Sequence, residues 1–166
     1  MMLDSSFIKP DWQAPAHVKA FMTTRIGGVS VAAYGDVTGA GGLNPAVHVG
    51  DDAEHVVRNR ALIRQCVPSE PLWLNQTHST IVWTGDYPSD LSAPEADAVV
   101  LTQTGQVGVV MTADCLPVLF ASDDGKVVGA AHAGWRGLVD GILEQTVSVM
   151  QARGADVAAM HVWFGA

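Results

Sequence analysis

Between residues 72 and 131 the chain places six short apolar runs one after another: 72–74, 80–83, 98–101, 107–111, 117–120 and 126–131. Each is bounded by Gly, Asp, Thr, Ser or Asn, and each is too short to form a helix of ordinary length, so the runs read as strands. Asp123-Asp124-Gly125 supplies a hairpin turn between the last two. Several strands joined by hairpin-length loops, with only occasional helices, do not form a regular βαβ repeat. They predict an α+β fold: a mixed β-sheet with flanking helices.

The helices are readable from their period and their ends. Asp51 or Asp52 can cap a helix over 53–66, where Glu54 suits the positive end of the dipole and Val56, Arg60 and Ile63 recur at helical spacing up to Pro68. A buried Arg60 on that stripe would need a carboxylate partner. Cys66, at the end of this helix, reads as a buried structural thiol. After Gly137 a second amphipathic helix presents Val139, Ile142, Leu143, Thr146, Val149 and Met150 on one face and stops at Gly154. Residues 1–20 read as irregular, Phe21-Met22-Thr23-Thr24 as a short strand, residues 25–30 as a glycine turn, and residues 32–50 as a long loop of the kind that often serves function. Residues 161–166 form an apolar strand that ends without a polar tail, which suggests a fragment of something longer. The expectation is one domain over 1–166 that lacks its C-terminal part.

Composition narrows the partner. The 166 residues are 48% hydrophobic and 16% charged, with a net charge of −8. Such a chain has enough apolar content for a core, and no basic surplus with which to track a nucleic acid. No run reaches the length needed to cross a bilayer, and the amino terminus has no basic start followed by an apolar stretch. A cytoplasmic protein with a small partner, bound neither to nucleic acid nor to a membrane, is the expectation. Two cysteines are the ordinary complement of a reduced intracellular chain.

Three polar residues stand at strand boundaries in apolar surroundings: His78, Cys115 and His132. Two imidazoles and a thiolate suit Zn²⁺, and three protein ligands with an open fourth position is a catalytic pattern. The same residues permit a metal-free reading, in which Cys115 pairs with a histidine as a thiolate–imidazolium nucleophile and Asp114 or Asp97 orients the base. Around Gly134 the chain turns from strand to helix, with Arg136 close by. This arrangement could hold a phosphate or carboxylate, and Trp135 could supply a stacking wall. Arg25, followed by Gly27 and Gly28, is a second anion-binding candidate, and His48 a third polar candidate.

Motifs spread over nearly the whole chain carry a resemblance. They are Thr23-Thr24-Arg25-Ile26-Gly27-Gly28-Val29-Ser30, Leu43-Asn44 with His48-Val49-Gly50-Asp51-Asp52, Asn59-Arg60, Asn75-Gln76-Thr77-His78, Ala96-Asp97-Ala98, Ala113-Asp114-Cys115-Leu116-Pro117-Val118 and His132-Ala133-Gly134-Trp135-Arg136-Gly137. In this order they resemble the YfiH/laccase-domain family, also called the polyphenol oxidase or multicopper-oxidase-like family. The resemblance implies a YfiH-like fold and a zinc-dependent purine nucleoside phosphorylase. Such an enzyme cleaves adenosine, inosine, guanosine or methylthioadenosine with phosphate, and many family members also deaminate adenosine. It implies the family's metal ligands at His78, Cys115 and His132. Phosphate would then fall to Arg136 or, more weakly, Arg25. Family members continue beyond residue 166 through a Gly-Pro-Cys segment. Copper-dependent phenol oxidation, a Cys-His hydrolase and a non-catalytic metal-binding module are the alternatives. For the oxidase, the remaining histidines His17, His48, His55 and His161 are too dispersed in sequence to promise a copper cluster.

Overall fold

A computed structural model describes residues 7–85, 88 and 92–166, and the amino-terminal residues 1–6, read above as irregular, lie outside them. The chain divides into two compact units, residues 7–9 with Phe21–Ser69, and Pro10–Ala20 with Glu70–Ala166.

In the first unit, strand β1 (Ile26–Ser30) occupies the segment read as a glycine turn. Only Gly27 needs the left-handed region, at φ +94°. Single bridges from Ile26 and Ser30 to Gly42 give β1 its partner, and the segment read as a strand at 21–24 makes one bridge, between Met22 and Ile8. Helix α1 (Ala53–Arg64) lies on β1. Its cap is Asp52, whose Oδ1 accepts from the backbone N–H of Glu54 at 2.8 Å and of His55 at 3.4 Å. Val56, Asn59 and Ile63, spaced by three and four residues, form its buried face. Arg60 is half-buried and its Nε donates to the Pro45 carbonyl at 2.8 Å. Cys66 lies past the helix end and is exposed, contrary to the buried role expected of it.

The second unit is built on a five-stranded mixed sheet whose strands lie side by side in the order 82–83, 98–101, 128–133, 116–121 and 161–164. The strands are β3 (Val82–Trp83), β4 (Ala98–Leu101), β6 (Leu116–Ala121), β7 (Val128–Ala133) and β8 (His161–Phe164). β3 runs parallel to β4, and the other pairings are antiparallel. A short parallel pair, β2 (Pro71–Leu72) with β5 (Val107–Gly108), forms a second sheet that packs against the first. The sheet is covered on both faces, which is why its central strands read as unbroken apolar runs. Ala98, Val100, Val118, Phe120, Ala131 and Ala133 share one core with Ile142 and Met150, while Val99, Leu101 and Ala130 share another with Leu72 and Leu74. Each fully buried side chain such as Ile142 or Met150 contributes about 1.5–3 kcal/mol relative to exposure.

The expected single helix after Gly137 is two: α2 (Trp135–Asp140) and α3 (Ile142–Ala152), separated by Gly141 at φ +96°. The left-handed residue ends one helix and starts the next. Ile142, Thr146 and Met150 keep the buried stripe on α3, whereas Val139 on α2 is 79% exposed and leaves the face assigned to it.

The register brings three strand ends together. Leu116 pairs with Ala133 and Pro117 with His132, so the residue before β6 and the penultimate residue of β7 are neighbours. Ala98 pairs with Ala131, which sets Asp97, just before β4, at the same end of the sheet. No helix among the described residues is long and apolar enough to cross a membrane.

Candidate metal centre

His78, Cys115 and His132 converge at that end of the sheet. One donor atom from each lies within 4.8 Å of the other two. The rings of His78 and His132 meet edge to face, with centroids 4.9 Å apart and planes at 75°. Cys115 Sγ is 3.9 Å from His78 Nε2. The cluster is graded from buried His132 through half-buried Cys115 to exposed His78, so that one side is open to a ligand.

Asp97 organises the cluster. Its side chain is fully buried and accepts from the backbone N–H groups of Thr77, His78 and Ser79 at 3.1, 3.0 and 2.7 Å, and from the Ser79 hydroxyl at 2.8 Å. His132 Nδ1 lies 2.8 Å from Asp97 Oδ1. Burial pushes the Asp97 carboxyl up, but the bonds from His132, Ser79 and Thr77 outweigh it and hold the group below the usual carboxylate range. An ionised carboxylate can only accept, so His132 carries its proton on Nδ1 and turns the lone pair of Nε2 to the cluster. This is the carboxylate–histidine arrangement that orients a metal-binding imidazole.

The same carboxylate holds His78 in a conformation it would not choose. His78 has φ +58°, in the left-handed region that costs a non-glycine residue on the order of 1–2 kcal/mol. Three consecutive N–H groups aimed at Asp97 over-determine that turn and direct the imidazole at Cys115. Gly134 leaves the room: a Cβ there would stand 2.8 Å from His78 Cδ2 and 3.1 Å from Cys115 Sγ. Its φ of −67° is open to any residue, so space is the reason for the glycine.

The donor set fits a borderline metal ion: two imidazoles, one of them oriented by Asp97, and one thiol. It fits a free thiolate nucleophile poorly. Burial and the neighbouring Asp114 carboxylate push the Cys115 thiol up, which holds it protonated until a cation draws the proton off. Among the described residues this is the one such group of three ligands, and His17, His48, His55 and His161 do not join it.

The two anion candidates differ. Arg25 donates from Nε to the Gly35 carbonyl at 2.5 Å and from Nη2 to the Ala33 carbonyl at 2.6 Å, so much of its fork is engaged in holding its own loop. Arg136 is exposed, with Cζ 5.3 Å from the centroid of the exposed Trp135 ring, and has no ion pair among the described residues. The helix behind it has only six residues. Its own charge, more than a helix dipole, is what this end offers an anion.

Asp97 was visible in the sequence only as a possible orienter of a base. Ser79 and Gly134 gave no sign of their roles, apart from glycine's general association with close approach.

A mixed sheet carrying a His-Cys-His cluster at one end defines the class. Residues 19–166 match the family described as multi-copper polyphenol oxidoreductase laccase, and the chain belongs to that family. It is 48% identical over 160 residues to a Haemophilus influenzae protein named purine nucleoside phosphorylase, covering 95% of this chain and 61% of that one. It is 42% identical over 165 residues to the Escherichia coli purine nucleoside phosphorylase YfiH, covering 97% and 63%. A crystal structure of a Neisseria meningitidis DUF152 protein superposes with a TM-score of 0.84 at 43% identity, over 96% of this chain and 62% of the other. The chain thus spans about three-fifths of the length of these relatives.

Proposed function

We propose that the chain carries the metal centre of a zinc-dependent purine nucleoside phosphorylase. The observation that carries this reading is the convergence of His78, Cys115 and His132 with Asp97 behind them. The names of the relatives support the reaction class. His78, Cys115 and His132 would hold the ion. Zinc so held supplies Lewis-acid polarisation of an oxygen atom and draws the proton from the thiol.

The chain's own residues do the rest. Asp97 keeps His132 in one tautomer, and Gly134 keeps the approach to the cluster free of a side chain. Arg136 positions phosphate by charge, beside a Trp135 face on which a purine can stack. In the reaction a phosphate oxygen bonds to the anomeric carbon as the glycosidic C–N bond breaks. The bond's electron pair goes to the purine, which takes up a proton, giving free base and ribose 1-phosphate, or 5-methylthioribose 1-phosphate where the substrate is methylthioadenosine. Adenosine, inosine, guanosine and methylthioadenosine are the proposed substrates, and deamination of adenosine a further activity of the same centre. The protein acts in the cytoplasm. A multi-electron phenol oxidase fits less well, because such chemistry needs several metal sites and the described residues assemble one ligand group.

The test is to incubate metal-analysed protein with adenosine or inosine, with and without phosphate, and to separate the products. Base release that requires phosphate is the expected result. Base release indifferent to phosphate, or turnover of a phenol only with added copper, overturns the reading. Inosine formed from adenosine without phosphate identifies the deaminase activity.

A further inference from the structure

The segment that carries Cys115 packs Val110 against the core but makes few hydrogen bonds. It leaves β5 at Gly108 and enters β6 at Leu116, and residues 110–114 lie in no strand. Among the described residues, the only hydrogen bonds made by the backbone of this stretch go to one side chain. Gln76 Nε2 donates to the Met111 carbonyl at 2.8 Å, and the Met111 N–H donates to Gln76 Oε1 at 2.7 Å. A primary amide offers a donor and an acceptor side by side, as a peptide group does, so Gln76 takes the place of an absent strand neighbour.

Gln76 itself stands on a fixed base. Asn75 bridges to Glu95, its N–H donates to the Pro94 carbonyl at 2.9 Å, and the next three residues are anchored on Asp97. Asp97 therefore sets His78 relative to His132. It does not reach the segment before Cys115, and the amide of Gln76 does. We infer that Gln76 is a positioning residue of the candidate metal centre, whose clamp on Met111 sets Cys115 Sγ relative to His78 Nε2. The inference rests on the metal-centre reading above and adds a residue that touches no ligand atom. Only glutamine meets the requirement among side chains of its size: glutamate has no proton to donate to the Met111 carbonyl, methionine fills the volume with no polar group, and asparagine is one methylene shorter.

The test uses the 166-residue chain as wild type, Gln76→Met, Gln76→Glu and Cys115→Ser, stripped of metal and titrated with Co²⁺ alone and Zn²⁺ alone. Zinc affinity is read by competition with a chromophoric chelator, and thiolate ligation by the sulfur-to-cobalt charge-transfer band. In the wild type the band is expected, and Cys115→Ser should remove it. Gln76→Met should weaken zinc binding by roughly 10–100-fold, as loss of an outer support of a metal ligand does, and should dim the sulfur band while imidazole ligation persists. Gln76→Glu should move both readouts in the same direction, and it carries the test if the methionine variant does not fold.

A merely structural role would lower the melting temperature and leave the band and the affinity of the folded protein unchanged. That result in both Gln76 variants overturns the inference while the metal centre stands. Identical cobalt binding by wild type and Cys115→Ser, with no sulfur band in either, overturns the metal-centre reading and the inference together.

Discussion

A fully buried polar side chain organises a network in each unit, Asn59 in the first and Asp97 in the second, and the two networks end differently. In the first, Asn59 Oδ1 accepts from the Val29 N–H at 2.9 Å, and Nδ2 shares its protons among Ser30 Oγ, the Gly42 carbonyl and the Asn44 carbonyl at 2.9, 3.1 and 2.9 Å. Ser30 and Asn44 both donate onward to Asp51 Oδ2, at 2.6 and 2.9 Å. Asp51 Oδ1 in turn accepts from the Asp52 N–H at 2.8 Å and lies 3.9 Å from the His55 imidazole of the same unit, so the network ties α1, β1 and the 42–51 loop into one piece. In the second, Asp97 gathers four donors from residues 77–79 and a fifth from His132, whose ring then presents its other nitrogen to Cys115 and His78. A buried polar network that is satisfied entirely from within builds a fold. One that spends its last bond on an imidazole with a free far side also builds a site.

This contrast can be broken by substitution. The largest effect belongs to the ligands themselves: Cys115→Ala or His132→Ala should abolish stoichiometric zinc and activity together, measured by metal analysis and product assay. A metal-replete, active variant would remove the residue from the ligand set. Asn59→Ala comes next and should act on stability alone. Leaving several buried partners unsatisfied costs on the order of 3 kcal/mol, read as a shifted denaturation midpoint, with zinc affinity per folded molecule unchanged.

Asp97→Asn should act on the ion as well as on stability, weakening zinc affinity roughly 10–100-fold in a chain that still folds. It should also change the acid limb of stability. Because the native carboxyl lies below its unfolded value of about 3.9, its contribution is full above that pH and is lost as pH falls through the lowered native value. The stability gap between wild type and Asp97→Asn should therefore close on acidification below about pH 4, and a gap that widens there refutes the assignment. The smallest effect is expected at Cys66→Ser, which should leave zinc content unchanged and stability within about 0.5 kcal/mol, since its exposed thiol donates only to the Leu62 carbonyl at 3.5 Å.

The legibility of the chain follows the range of its interactions. Strands 98–101 and 117–120 were readable because their apolar runs are local facts, and His78, Cys115 and His132 because reactive residue types interrupt those runs. β1 was not, since Gly27 and Gly28 signal a turn and the strand's partner is an irregular segment that meets it through bridges at Gly42 and a bond from the Gly28 N–H to the Gly41 carbonyl at 2.8 Å. The break at Gly141 was masked by an apolar period that continues through it. Gln76 and Asp97 stand in motifs the sequence offered, and Asp97 was a candidate orienter of a base, but what each one holds was not legible. Their partners lie 35 residues away at Met111 and 18 to 35 residues away at Ser79 and His132, and polar side chains carry no periodicity that would announce such pairings.

The left-handed backbone at His78 bears on how this position can change over generations. Glycine would relax the strained turn and asparagine would tolerate it, yet neither offers an imidazole. Selection for a sturdier fold and selection for the ion thus pull position 78 toward different amino acids. A lineage that gave up the chemistry would be free to drift toward glycine there, and the identity of that one residue would record which demand had prevailed.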